Sequence, residues 1–95
     1  MVVGTLKLTV HLHMGASLKD KRSEVKRILA RVKQRAPVAF AETGQLDKWQ
    51  LTELGFACVS NDSAVCERIL DSVEEEIESK ADATISDRQR ELLHL

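Results

Sequence analysis

A chain of 95 residues with a formal net charge of −1 has room for one hydrophobic core and not for two. Its 43% hydrophobic and 31% charged content fits a folded soluble domain and excludes a disordered chain. No apolar run approaches the roughly 20 residues of a membrane helix.

Residues 2–12 (VVGTLKLTVHL) predict a first strand, with Leu6, Leu8, Val10 and Leu12 on one face and Thr5, Lys7, Thr9 and His11 on the other. This alternation, with no cleavage pattern behind it, reads as a strand and not as a leader peptide. Gly15-Ala16 breaks the strand. Ser17 then stands as a helix N-cap, with Asp20 in the place of a capping-box acid. The helix is expected to end near Ala36, because the residue before Pro37 resists helical dihedrals. Residues 37–43 read as a short strand, 44–49 as a connection, and 50–60 as a third strand with Leu54, Phe56 and Cys58 on one face. Asn61-Asp62-Ser63 supplies the next cap, and a second helix runs to about Ser79 with Val65, Cys66, Ile69, Leu70, Val73 and Ile77 as its apolar stripe. From Ala83 to Leu93 the pattern weakens. Ser86-Asp87-Arg88-Gln89-Arg90 is polar on both faces, which suits an edge strand.

The order βαββαβ predicts an α+β fold in a single domain over residues 1–95. It is a ferredoxin-like sandwich: a four-stranded antiparallel sheet with two helices on one face. Right-handed crossover places strands one and three side by side in the middle. The architecture alone assigns no function.

Charge is distributed unevenly on this frame. Residues 17–35 hold eight of the chain's 14 Lys and Arg. Helical spacing puts Leu18, Val25, Ile28, Leu29 and Val32 in one apolar stripe. Lys19, Arg22, Lys26 and Lys33 gather along one flank of it, with no acid in reach on their own helix. On the opposite side Asp20 and Glu24 stand at pairing distance from Arg27 and Arg31 and read as solvated surface. The second helix has the opposite sign: Asp62, Glu67, Asp71, Glu74, Glu75, Glu76 and Glu78 against Arg68 and Lys80. Either the two helices neutralise each other across their groove, or the basic flank meets a phosphate backbone or an acidic protein.

The open sheet face is expected to present Thr5, Lys7, Thr9 and His11 from strand one and Glu53, Gly55, Ala57 and Val59 from strand three. No aromatic stands among them for a base to stack on, so any RNA contact is expected to be electrostatic, to structured backbone, through the first helix. Ala57 and Val59, with Ala39 and Ala41 on the same side of strand two, leave an apolar patch that a second copy can cover. Trp49 and Gln50, between Asp47 and Glu53, are candidate partner-binding residues, since Trp is enriched at interface hot spots; a plug over the hairpin is the alternative.

The remaining candidates are weaker. His11 and His13 share one face of a strand end, but no third ligand stands at a helpful spacing, so neither a metal nor another cofactor is expected. Cys58 and Cys66 form no CxxC motif and sit in apolar patterns, as buried thiols in a reducing cytoplasm would. The helix start at Ser17, beside Lys19 and Arg22, sketches a phosphate-directed enzyme of acylphosphatase-like geometry if Asn61 converges on it. The glycine-bracketed loop of such enzymes is absent, and a non-enzymatic reading is preferred.

The stretches SLKDKR (17–22), AETGQLDKWQLTELG (41–55) and VSND (59–62) together resemble the YlxP-like family of small bacterial proteins, a domain of unknown function. The opening Met-hydrophobic-hydrophobic-Gly matches as well, and the Asp47-x-Trp49-Gln50 and Glu53-Leu54-Gly55 combination is specific. The resemblance covers nearly the whole chain except the last strand, which in the family alternates apolar and acidic residues. It implies the ferredoxin-like fold and no established activity. Its members are often encoded beside translation-initiation and ribosome-maturation genes, which implies work on RNA or the ribosome. The expectation is a cytoplasmic, non-enzymatic binder of structured RNA or a ribosomal surface, acting through Lys19, Arg22, Lys26 and Lys33 and without a membrane. The alternative is a self-associating structural or regulatory module, a homodimer through the open sheet face.

Overall fold

Alternation along β1 (Val2–Leu12) becomes alternate burial: Leu6, Leu8, Val10 and Leu12 are buried, while Lys7 and His11 are exposed. The computed structural model describes residues 1–13, 15–79 and 82–95; Lys80, counted above among the second helix's cations, lies outside them. After β1 come α1 (Leu18–Arg35), β2 (Ala39–Gly44), β3 (Leu51–Ser60), α2 (Ser63–Ser79) and β4 (Ala83–His94). The sheet has the order β2-β3-β1-β4 and every neighbouring pair is antiparallel. This is the expected α+β, ferredoxin-like βαββαβ sandwich, with β1 and β3 central. Their register runs from Val2↔Ser60 to His11↔Leu51, so the end of β1 meets the start of β3. Among the described residues, no helix is long and apolar enough to cross a membrane.

Local chemistry sets the helix ends. Asp20 N–H donates to Ser17 Oγ (3.1 Å), and Asp20 Oδ2 accepts from Ala16 N–H (3.0 Å), one residue earlier than in a regular capping box. Gly15 precedes them at φ +104, a left-handed conformation natural to glycine. At the other end Ala36 is extended before Pro37, and its N–H still bonds Val32 O at 2.9 Å. Asp62 caps α2 by accepting from Ala64 N–H at 2.9 Å.

The core lies between the helices and the sheet. Val25, Ile28 and Val32 of α1 and Cys66, Leu70, Val73 and Ile77 of α2 pack with Leu6, Leu8, Val10, Leu54, Phe56 and Cys58. The approach of α2 to β1 is close at Gly4. A Cβ there would stand 3.2 Å from Cys58 Sγ, Cys66 Cβ and Leu70 Cδ1 alike.

β4 is a full strand and a sheet edge. Arg88 and Arg90 oppose Leu8 and Leu6 in the register, which puts them on the helix side of the sheet. There they meet α2. Arg90 bonds Asp71 (2.9 Å) and Glu74 (2.6 Å) and reaches Glu67 at 3.4 Å; Arg88 bonds Glu74 (2.6 Å) and Glu78. The polar run that weakened the strand pattern is therefore an arginine pair whose heads hold the helix. Hydrogen bonds donated to Glu74 and then to Glu78 hold the Arg88 guanidinium above its ordinary pKa. Burial opposes the charge on Arg90, but Asp71 and Glu74 outweigh it and the net shift is upward.

Candidate nucleic-acid interface

Lys19, Arg22, Lys26 and Lys33 are all exposed on α1. Among the described residues none of the four forms an ion pair. Among the described residues the ion pair between the two helices is Arg35 to Glu75 (2.6 Å), and helical spacing puts Arg35 across the buried stripe from this flank. The flank therefore does not face α2. Of the α2 acids that offered one way to neutralise it, Glu67, Asp71, Glu74 and Glu78 are taken up by Arg88 and Arg90, because the antiparallel register brings β4 beside α2.

The opposite side of α1 is less solvated than its charges suggested. Glu24 is buried and holds Arg27, while the Asp20 carboxylate is spent on the Ala16 amide. Arg31 is half-buried, with Nε shielded from solvent and without a hydrogen-bond partner among the described residues.

The least expected residue is Lys21. It is 2% exposed, its Nζ lies 3.0 Å from Glu42 Oε2, and it also donates to the carbonyl of Gln45. Buried Thr52 donates to the same Glu42 oxygen at 2.8 Å. Gln45 turns its carbonyl inward by adopting φ +59, and accepts from Lys48 N–H at 3.2 Å as well. The loop between β2 and β3 is thus tied to the first turn of α1. The signal was present in the spacing: residues 21, 25, 28 and 32 follow i, i+4, i+7 and i+11, the buried face of a helix. A lysine in that series points to a buried partner, since an unpaired ammonium is too costly to bury.

That loop carries Trp49 and Gln50. Gln50 O accepts from Leu12 N–H at 2.9 Å, which extends the β1–β3 ladder past its last paired residues. Trp49 is 41% exposed and lines a cavity of about 410 Å³ with His11, Asp47, Lys48, Gln50 and Leu51. His11 and Leu51 are cross-strand partners and share the open face, so the indole stands at the foot of that face. His13 instead shares a 2.6 Å hydrogen bond with Thr84 Oγ1. Among the described residues no three His, Cys, Asp or Glu side chains gather as a metal site.

Higher on the open face, Val3 lies between Val59 and Leu93 in the register, and Ala57 opposes Ala39 as Gly55 opposes Ala41. Val59 is 62% exposed. The phosphate-site geometry does not assemble. Asn61 follows the end of β3 that pairs with Val2, whereas Ser17 follows the opposite end of β1. Cys58 and Cys66 are free, buried thiols. Burial, reinforced by the neighbouring Cys66, pushes Cys58 up to about 11.

Residues 3–90 match the model of a family described as Protein of unknown function (DUF503). The uncharacterized protein YlxP of Bacillus subtilis (strain 168) is 36% identical over 72 residues, covering 76% of this chain and 78% of that protein. Among solved structures, the de novo designed protein Foldit4 superposes with a TM-score of 0.56 at 14% identity, over 98% of each chain. SnoaB from Streptomyces nogalater, a cofactor-independent oxygenase, superposes at 0.52 with 12% identity, over 100% of this chain and 94% of its own. At such identities the likeness is one of fold.

Proposed function

Since the chain belongs to the DUF503 family of proteins of unknown function, we propose from its own surface that it binds structured RNA, free or on the ribosome, without acting as an enzyme. The contact is made by Lys19, Arg22, Lys26 and Lys33. The observation that carries this reading is that these four cations are exposed and without ion-pair partners among the described residues, while Glu67, Asp71, Glu74 and Glu78 of α2 are engaged by β4. Arginine and lysine heads left in water keep their full field for a phosphate backbone and surrender only their own hydration on contact.

Titration of a labelled RNA hairpin across salt concentrations tests it. Four phosphate contacts give a slope of roughly −3 to −4 in log K against log salt. Reversing all four residues to Glu abolishes binding, whereas Arg27→Gln, which removes a cation already held by Glu24, changes it little. Salt-independent binding, or full affinity in the fourfold variant, refutes the reading.

A second reading rests on the row Val59, Val3 and Leu93 on the open face. Solvated faces of antiparallel sheets are ordinarily polar, and a second copy laid on this row would leave the α1 flank outward. Sedimentation decides it: a clean monomer at tens of micromolar ends the idea.

A further inference from the structure

We propose that the cavity between Trp49 and His11 receives one unpaired nucleobase of the RNA whose backbone the α1 flank holds, an inference that rests on the function proposed above. Two ring systems line this cavity, and one of them is the chain's single tryptophan. Its volume of about 410 Å³ falls within the range of small-ligand pockets. An indole and an imidazole at one opening offer flat π-surfaces, which any base can stack on irrespective of its sequence. Lys48 on the rim supplies a cation for the adjoining phosphate. Asp47 supplies acceptors for the N–H groups of a base edge. An apolar protein side chain would make no use of either charge.

The position ties this cavity to the basic flank. Through Lys21, the 45–50 loop is bonded to the first turn of α1, the turn that also carries Lys19 and Arg22. A backbone following Lys26, Arg22 and Lys19 toward the helix start arrives at the end of the molecule where Lys48 and Trp49 stand, and turns around the end of the sheet to reach its open face. The buried Lys21–Glu42 pair fixes the loop before any ligand arrives, so little ordering remains to be done on binding. His11 alone makes no stacking platform on the strands; the loop completes one, as Gln50 O continues the β1–β3 ladder and Trp49 lines the same cavity as His11.

Two blunt RNA duplexes of equal length and charge, one fully paired and one in which a single nucleotide faces an abasic site, provide the test at low salt. Trp49 is the chain's only indole, so its emission reports the site directly in the unmodified protein. The unpaired nucleotide is expected to quench it and to bind more tightly than the paired duplex. Trp49→Ala should lose roughly 10- to 100-fold in affinity for the unpaired RNA and little for the paired one, while Trp49→Phe keeps most of it. If both RNAs bind alike with emission unchanged, the base site is overturned and the backbone reading survives. If neither RNA binds, both fall. If Trp49 responds only to a protein and never to RNA, the cavity is a protein anchor and this inference is wrong.

Discussion

Lys21 Nζ on α1 and Glu42 Oε2 on β2 stand 3.0 Å apart, and the lysine is only 2% exposed. An ammonium drawn out of water is tolerated only when its charge and its donors are both met. Here Glu42 meets the charge, the Gln45 carbonyl takes a further donor, and Thr52 steadies the carboxylate. The pair joins α1 to the β2–β3 hairpin whose connection carries Trp49.

Breaking this pair on one side should be more damaging than removing it. Lys21→Met is expected to strand Glu42 and cost about 3 kcal/mol of stability. Adding Glu42→Gln should recover part of the loss, with a coupling of at least about 1 kcal/mol in urea unfolding. Additive losses would show that the two groups act independently.

Gly4→Ala tests the approach of α2 to β1. The new methyl meets three packed atoms at 3.2 Å, two of them on the helix. Overpacking of this kind costs about 1–3 kcal/mol. Thermal melts should show the drop, and an unchanged midpoint would mean that α2 shifts outward freely.

The arginines of β4 predict an asymmetric pair of losses. Arg90, with 21% side-chain exposure, bonds three acids of α2, one of them Glu74 at 17% exposure. Arg90→Leu should lower stability by about 1–2 kcal/mol, because it leaves those carboxylates facing one another. Arg88 is 45% exposed and more screened, so Arg88→Leu should cost less. Equal losses in denaturant unfolding would contradict this ordering.

Charge reversal on the α1 flank separates a role in binding from a role in folding. Lys19, Arg22, Lys26 and Lys33 have no ion-pair partner to lose among the described residues. The fourfold Glu variant should keep its stability within about 1 kcal/mol while RNA affinity disappears. A large fall in melting temperature with affinity intact would assign the flank to the fold.

Cys58 gives a pH dependence of definite sign. Its thiol is pushed from 9.0 up to about 11, first by burial and then by Cys66. The folded state therefore binds this proton more tightly than the unfolded chain does. The contribution is complete below pH 9 and is lost as pH rises through about 11. Cys58→Ala should show a shallower fall in melting temperature across that window than the unaltered protein. Identical slopes would place the titration elsewhere.

The sequence by itself determined the elements, their order and their faces. Those follow from local periodicity and from short-range chemistry: alternate burial in β1 and β3, the Ser17 cap, the stop before Pro37. Antiparallel crossover rules then leave few arrangements, and β2-β3-β1-β4 is one of them. The basic flank was legible for the same reason, since helical spacing alone separates it from the apolar stripe. Which charges pair was not legible. Sign alone left Glu67, Asp71 and Glu74 free to face α1, yet β4 takes them, because an antiparallel register laid down more than eighty residues from Val2 decides what stands beside α2. Lys21 shares the spacing of the buried series but was not expected in the core, and its partner lies across a hairpin, at a distance no spacing encodes. Trp49 and His11 line one cavity for the same cause. Periodicity records which way a side chain faces on its own element; only the packing of elements settles what it faces, because Coulomb and stacking energies depend on distance in space and not along the chain.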